Sequence, residues 1–79
     1  MTTTVNASYA LNQRFGFIPK LDAKIRNLAR RHQGILLGSG SGFGRRDSDI
    51  QFSSKKKAAA FVLGTEKIKP AIQAHIYLE

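Results

Sequence analysis

The chain contains no cysteine, and this absence removes two ways of stabilising a small protein. Without thiols it can form neither a disulfide framework nor a thiolate metal site. Its 79 residues must therefore fold by packing alone, or by packing together with an oligomer interface. The length predicts a single domain over residues 1–79, and the hydrophobic fraction of 42% is that of an ordinary folded protein.

Long apolar runs are also missing. A membrane span needs roughly 20 consecutive apolar residues, and no run in this chain approaches that length. The first thirteen residues carry no charged side chain and no apolar segment of the secretory type. These absences predict a cytoplasmic protein without a membrane partner.

Acidic residues are few. Five Asp and Glu stand against thirteen Lys and Arg, which gives a net charge of +8. A field of this strength around so small a body favours an anionic partner, which is nucleic acid, an acidic protein surface or a membrane face; the alternative is that the charge serves solubility alone.

Hydrophobic periodicity predicts six elements. Alternating apolar and polar residues indicate strands at 3–11, 49–53 and 71–78, and the apolar run at 34–38 indicates another, with Ile35 and Leu37 facing the core. Apolar residues at spacings of three and four predict a helix over 19–33, with Gly34 as its C′ stop and Asp22 paired with Arg26. Ser54 is suited to cap a second helix that ends near residue 64.

The predicted order is therefore β-α-β-β-α-β. The second and third strands are too close in sequence for a crossover helix, so they should form an antiparallel hairpin. Right-handed crossovers then predict an α+β fold with a four-stranded antiparallel sheet of order 4-1-3-2 and both helices on one face. This topology resembles the ferredoxin-like fold along nearly the whole chain. The resemblance implies no activity, because that fold hosts many unrelated functions.

The stretch between the second and third strands is rich in glycine and serine. Its GSGSGFG run fits neither the lysine-bearing phosphate loop nor the dinucleotide fingerprint, which has its third glycine where this chain has Arg45. Two interpretations remain. The run is either a mobile hairpin tip or a flexible binding loop from which Arg45 and Arg46 reach phosphates.

Three lysines, Lys55, Lys56 and Lys57, follow the predicted Ser54 cap. Cations in a first helical turn face the positive end of the helix dipole, which disfavours them. Local rules of this kind tend to be broken at functional sites. The lysines are therefore interpreted either as contacts to a nucleic-acid phosphate or as a solvated run of charges.

The sheet face without helices is a third candidate, because RNA-recognition modules of this topology stack bases on aromatic residues there. Only His75 and Tyr77, on an edge strand, could stack bases in this chain. Of the RNP1 pattern of those modules, only a G-F-G remains.

The sequence contains no recognisable pattern of catalytic residues. His32 and His75 have no ligand spacing, the serines have no base beside them, and Asp47 and Asp49 are flanked by arginines with which they can pair. Small acyl-phosphate hydrolases share the topology and use an arginine in the first strand-to-helix loop, where Arg14 lies, but the rest of their loop pattern is absent. The expectation is a protein that is not an enzyme and has neither cofactor nor metal.

The preferred interpretation is a small basic module that contacts a polyanion, foremost nucleic acid, through phosphate contacts. Its predicted contact residues are Lys55, Lys56, Lys57, Arg45, Arg46 and Arg14. The alternative is a protein-binding inhibitor or adaptor, because phages use compact, charged, cofactor-free domains of this kind against host proteins, including nucleic-acid-handling machines. The edge strands or the open sheet face could then pair with a partner or with a second copy.

Overall fold

A computed structural model describes residues 2–11, 18–42, 44–68 and 72–77. Its six elements follow in the predicted order. They are β1 (Thr3–Ala10), α1 (Pro19–Arg31), β2 (Ile35–Gly42), β3 (Arg45–Phe52), α2 (Lys55–Thr65) and β4 (Gln73–Tyr77).

The four strands form one sheet of order β2-β3-β1-β4, in which every neighbouring pair is antiparallel. This is the order 4-1-3-2 counted from the other edge, so the predicted small α+β architecture and strand order are confirmed. The central strand β1 is bonded on both sides, with Val5 opposite Ile50 of β3 and Ile76 of β4.

The core lies between one face of the sheet and the two helices. In β1 every second residue is buried, because successive side chains of a strand point to opposite faces. The two helices cover that face and contribute to the same cluster, and the rings of Phe52 in β3 and Phe61 in α2 lie 5.2 Å apart. The buried hydrophobic residues are Val5, Ala7, Tyr9, Leu21, Ile25, Ala29, Ile50, Phe52, Ala58, Phe61 and Ile72.

Helix α1 ends earlier than predicted and in a different way. The amide of Gly34 donates to the carbonyl of Ala29 (2.7 Å) and that of Gln33 donates to Arg30 (3.0 Å), which are the two bonds of a Schellman motif. The residue with left-handed φ is Gln33, at 61°, and not Gly34. Gly34 has a steric role instead, since a Cβ there would lie 2.6 Å from the Phe52 ring and 2.7 Å from Ile50 Cγ2.

The glycine- and serine-rich run is mostly strand. β2 extends to Gly42 and pairs with β3 along its length, and the chain turns near Gly44, whose φ is 77°. The interpretation as a mobile hairpin tip or loop is therefore wrong for residues 38–42, because ladder hydrogen bonds to β3 hold a segment whose own strand propensity is low.

The apolar start of β2 does not enter the core. Ile35 is paired with Gln51 on the open face, and an irregularity between Leu36 and Gly38 leaves Leu37 without a partner residue on β3. Ile35, Leu36 and Leu37 are 63%, 44% and 56% exposed. The expectation that Ile35 and Leu37 face the core is thus wrong, because the register of the edge strand sends them outward.

Neither helix, within the part of the chain that the structure describes, combines the length and apolar character needed to cross a bilayer.

Candidate functional site

The two helices carry most of the positive charge. They contain eight of the thirteen Lys and Arg residues and a single carboxylate, Asp22. All eight cations are exposed to solvent except Lys57, which is half-buried. We call this surface the helix layer, and its cations are Lys20, Lys24, Arg26, Arg30, Arg31, Lys55, Lys56 and Lys57.

Five of these cations lie at one end of the molecule, where α1 stops and α2 begins. At this junction Gly34 packs under Phe52, and Lys57 Nζ donates an exposed hydrogen bond of 2.5 Å to Gln33 Oε1. We call this group the cationic end; it consists of Arg30, Arg31, Lys55, Lys56 and Lys57.

The described carboxylates all lie elsewhere. Asp22 is in the first turn of α1 and Glu66 caps the far end of α2, so both are at the opposite end of the helices. Asp47 and Asp49 lie on β3. Within the described residues, the cationic end therefore has no partner of opposite charge.

Local structure holds the three lysines in different ways. Ser54 Oγ accepts a hydrogen bond from the Lys57 amide (3.2 Å), so the predicted cap is confirmed. Lys57 Nζ donates to Gln33 and to Ser53 Oγ (3.2 Å), which fixes this side chain. Lys55 and Lys56 are exposed in the first turn, where the helix dipole disfavours them.

Arg46 has a structural partner. Its Nη2 lies 3.1 Å from Asp22 Oδ2 in an ion pair that is largely shielded from solvent, and its Nε lies 3.2 Å from the same oxygen. Asp22 therefore pairs with Arg46 rather than with Arg26, one helical turn further on. The ion pair ties β3 to the start of α1.

The same carboxylate receives a hydrogen bond from Tyr9. The phenol donates to Asp22 Oδ1 at 2.5 Å and accepts from the amide of Ile18 at 3.0 Å. Burial, reinforced by the hydrogen bond to Asp22, raises the pKa of the Tyr9 phenol above its ordinary value. The phenol is thus a neutral structural donor.

Arg45 and Arg46 point away from each other, because they are consecutive residues of a strand. Arg45 lies on the open sheet face, where its Nη2 donates to Ser8 Oγ at 3.2 Å. Both arginines are at the opposite end of β3 from the lysines, a separation of roughly 23 Å at about 3.3 Å per residue. Arg14 lies outside the described residues. The structure therefore does not bring Arg45 and Arg46 together with the lysines.

The open sheet face has a different character from the helix layer. His75 and Tyr77 lie together on β4, with ring centroids 5.0 Å apart in an edge-to-face arrangement. Asp47 and Asp49 lie on the same face with Arg45, and Asp49 accepts a hydrogen bond of 2.9 Å from Asn6. Among its described residues this face carries two aspartates and one arginine, and the aromatic pair lies on the opposite side of the sheet from the cations of the helix layer.

No group of three or more His, Asp or Glu side chains in the described ranges is placed to hold a metal ion.

Comparison with protein-family models and with curated proteins gives no match for this chain. Its function must be argued from its own residues.

Sequence reasoning missed two members of the cationic end. The helix dipole favours cations such as Arg30 and Arg31 at the C-terminus of α1, so their presence there does not by itself indicate a ligand. Only the packing of α1 against α2 places them beside lysines that are more than twenty residues away in the chain.

Proposed function

We propose that this protein is a small, non-enzymatic binding module with a ferredoxin-like fold that contacts a polyanion, foremost nucleic acid, in the cytoplasm. The observation that carries this proposal is the one-sided distribution of charge. The helix layer presents eight cations and one carboxylate, and that carboxylate is already paired with Arg46.

A charged surface of this kind suits a phosphate backbone. The row of cations on helix α1 extends from Lys20 to Arg31, roughly 17 Å at about 1.5 Å per residue, and so reaches the cationic end. Duplex DNA presents about one negative charge per 1.7 Å of its axis, so several phosphates could face this row. Contacts to phosphates position a protein on nucleic acid but carry little sequence information.

The open sheet face is a poor surface for the same ligand. Stacking of bases on His75 and Tyr77 of β4 would bring phosphates towards Asp47 and Asp49, which lie on β3 of the same face, with β1 between the two strands. The helix layer is therefore the favoured surface, and the base sequence should have little influence on affinity.

The experiment is a titration of labelled single- and double-stranded DNA and RNA, followed by fluorescence anisotropy at several salt concentrations. Binding should weaken steeply with salt. In the variant Lys55→Gln/Lys56→Gln, the slope of log K against log salt should become shallower by about 0.7 per lost contact on single strands and about 0.9 on duplex DNA. Absence of binding at low salt would refute the proposal.

A matched control is available at the opposite end of the two helices, where Lys20 lies in α1 and Lys67 follows α2. Lys20→Gln/Lys67→Gln removes the same net charge from two exposed positions, so a general loss of attraction would affect both variants equally. We expect the larger loss for Lys55 and Lys56, because Arg30 and Arg31 lie at the same end of the helices. Unfolding is not expected to explain that loss, since removal of cations from a helix N-terminus should stabilise the protein by about 0.3–1 kcal/mol each at low salt.

One observation favours a second function, that of a protein-binding inhibitor or adaptor. In the described part of the chain β2 forms a sheet edge, and its sequence ILLGSGSG has no charge and no proline to discourage pairing. A strand of a partner protein could add to this edge. A pull-down with wild-type protein and with Leu36→Lys, which places a charge on the edge, would test this function, and a partner retained equally by both would argue against pairing at this edge.

A further inference from the structure

A groove runs between the two helices on the side away from the sheet. Its volume is about 550 Å³, and it is open to solvent along its length. Leu28, Leu63 and Ile68 supply much of its apolar surface, and Lys24, Arg31 and Lys67 supply its charge.

The spacing of the lining residues gives the groove its direction. On the α1 side they extend from Lys24 to His32, the C-cap of that helix, and on the α2 side from Ala60 to Ile68, in the turn that follows Thr65, with intervals of three and four in both segments. Such intervals follow one face of a helix, so the groove follows both helices for about two turns, or roughly 11 Å. Gly64 allows the close approach of the helices, because a Cβ there would lie 2.9 Å from the Leu28 side chain.

The groove exposes an apolar side chain without a partner in the described structure. Leu63 is 62% exposed, although it belongs to a helix whose Phe61 is fully buried. Leu28 lies beside it as a partly buried residue of the core periphery. A ligand with an apolar surface would cover both side chains and would gain affinity by removing them from water.

The charges of the groove restrict the choice of ligand. Among the described residues that line it none is acidic, and Lys24 and Lys67 lie towards one end while Arg31 lies towards the other. A second copy of this chain would bring like charges together. Nucleic acid would pair with the cations but would place its charged phosphates against the apolar side chains of Leu28 and Leu63. A ligand with an apolar stripe between carboxylates matches both features.

We propose that this groove binds an acidic amphipathic α-helix of a partner protein. An apolar residue of the bound helix packs on Leu63 and Leu28, and its next apolar residues, at spacings of three and four, continue along the groove. Glutamate or aspartate side chains on its flanks pair with Lys24, Lys67 and Arg31. This interaction goes beyond the proposed contact with a polyanion. The groove shares Lys24 and Arg31 with the helix layer, and of these two only Arg31 belongs to the cationic end.

The probe is a labelled synthetic peptide of about four helical turns, with leucines along one stripe and glutamates on the other positions. A peptide of the same composition but scrambled order controls for attraction to a basic protein. We expect the amphipathic peptide to bind about tenfold or more tightly than the scrambled one, since only it can bury its leucines together. Its binding should shift the amide NMR signals of residues 24–32 and 60–68.

Variants separate this surface from the others. Leu63→Ser should weaken the peptide about tenfold, whereas Leu37→Ser, the same change at a similarly exposed site on β2, should have almost no effect. Lys24→Gln/Lys67→Gln should weaken the peptide more than Lys55→Gln/Lys56→Gln, although both variants lose the same net charge. Loss of nucleic-acid binding in Lys55→Gln/Lys56→Gln with retained peptide binding would show that the groove and the cationic end act independently.

Three results would each overturn the inference: equal affinity for the scrambled peptide, signal shifts outside the groove, or no binding of either peptide. A single-stranded oligonucleotide that shifts the groove signals and displaces the peptide would assign the groove to nucleic acid instead. Circular dichroism of Leu63→Ser would confirm that the variant is folded, as expected for a change at an exposed position.

Discussion

Neighbouring residues at the end of α1 should respond to substitution with opposite signs. Gln33 has a φ of 61° and is in the left-handed region, which costs a residue with a side chain about 1–2 kcal/mol. Gln33→Gly removes this cost. It also increases the conformational entropy of the unfolded chain, which lowers the free energy of unfolding by about 0.5–1 kcal/mol. The exposed hydrogen bond to Lys57 is worth little, so we expect a net stabilisation of about 0.5 kcal/mol.

Gly34→Ala should be destabilising for a steric reason. The added methyl would lie 2.6–2.9 Å from the Phe52 ring and 2.7 Å from Ile50 Cγ2, and both side chains are buried in the core. Overpacking of this kind costs about 1–3 kcal/mol of stability. Replacing glycine by alanine also reduces the conformational entropy of the unfolded chain, which stabilises the folded protein by up to about 1 kcal/mol. We expect a net loss of about 1–1.5 kcal/mol in the free energy of unfolding.

Urea denaturation followed by circular dichroism measures both effects, and Phe52→Leu provides an internal check. If the clash with Phe52 is the cause, Gly34→Ala should cost clearly less in the Phe52→Leu background, which appears as a coupling energy in a double-mutant cycle. A destabilising Gln33→Gly together with a harmless Gly34→Ala would refute the reasoning, since it would place the left-handed residue at position 34.

Three further predictions concern stability. Tyr9→Phe removes the hydrogen bonds of the phenol to the Ile18 amide and to Asp22, and should cost about 1–3 kcal/mol of unfolding free energy. Because the pKa of Tyr9 is raised in the folded protein, the stabilisation by the phenol should persist below about pH 10 and disappear as the pH rises through the folded pKa. Denaturation curves of the wild type, but not of Tyr9→Phe, should show this loss of stability at alkaline pH. Ser54→Ala should cost about 1 kcal/mol through loss of the cap, whereas a change below about 0.5 kcal/mol is expected for Ser53→Ala, which is exposed. Ile35→Lys should change the unfolding free energy by less than about 0.5 kcal/mol and should lower any self-association measured by light scattering; a variant that unfolds would show that Ile35 belongs to the core after all.

The candidate site could be predicted only in part. Lys55 to Lys57 stood out because they break the helix-dipole rule within a few residues of a recognisable cap. Arg30 and Arg31 obey the same rule, so nothing in their local sequence marks them. Adjacency in the chain suggests that Arg45 and Arg46 contact phosphates together, but adjacent side chains of a strand point to opposite faces.

The sequence by itself determined the order of the elements and the topology of the sheet. Alternation of period two and helical spacing are local properties, and the short connection between β2 and β3 excludes a parallel arrangement. Tertiary structure decided three other features. It extended a glycine- and serine-rich run into a strand, because ladder bonds to β3 override weak propensity. It placed the left-handed turn at Gln33 and left Gly34 for the space under Phe52. It also joined the ends of two helices into one cationic surface, since contacts between residues distant in sequence depend on how the helices pack on the sheet.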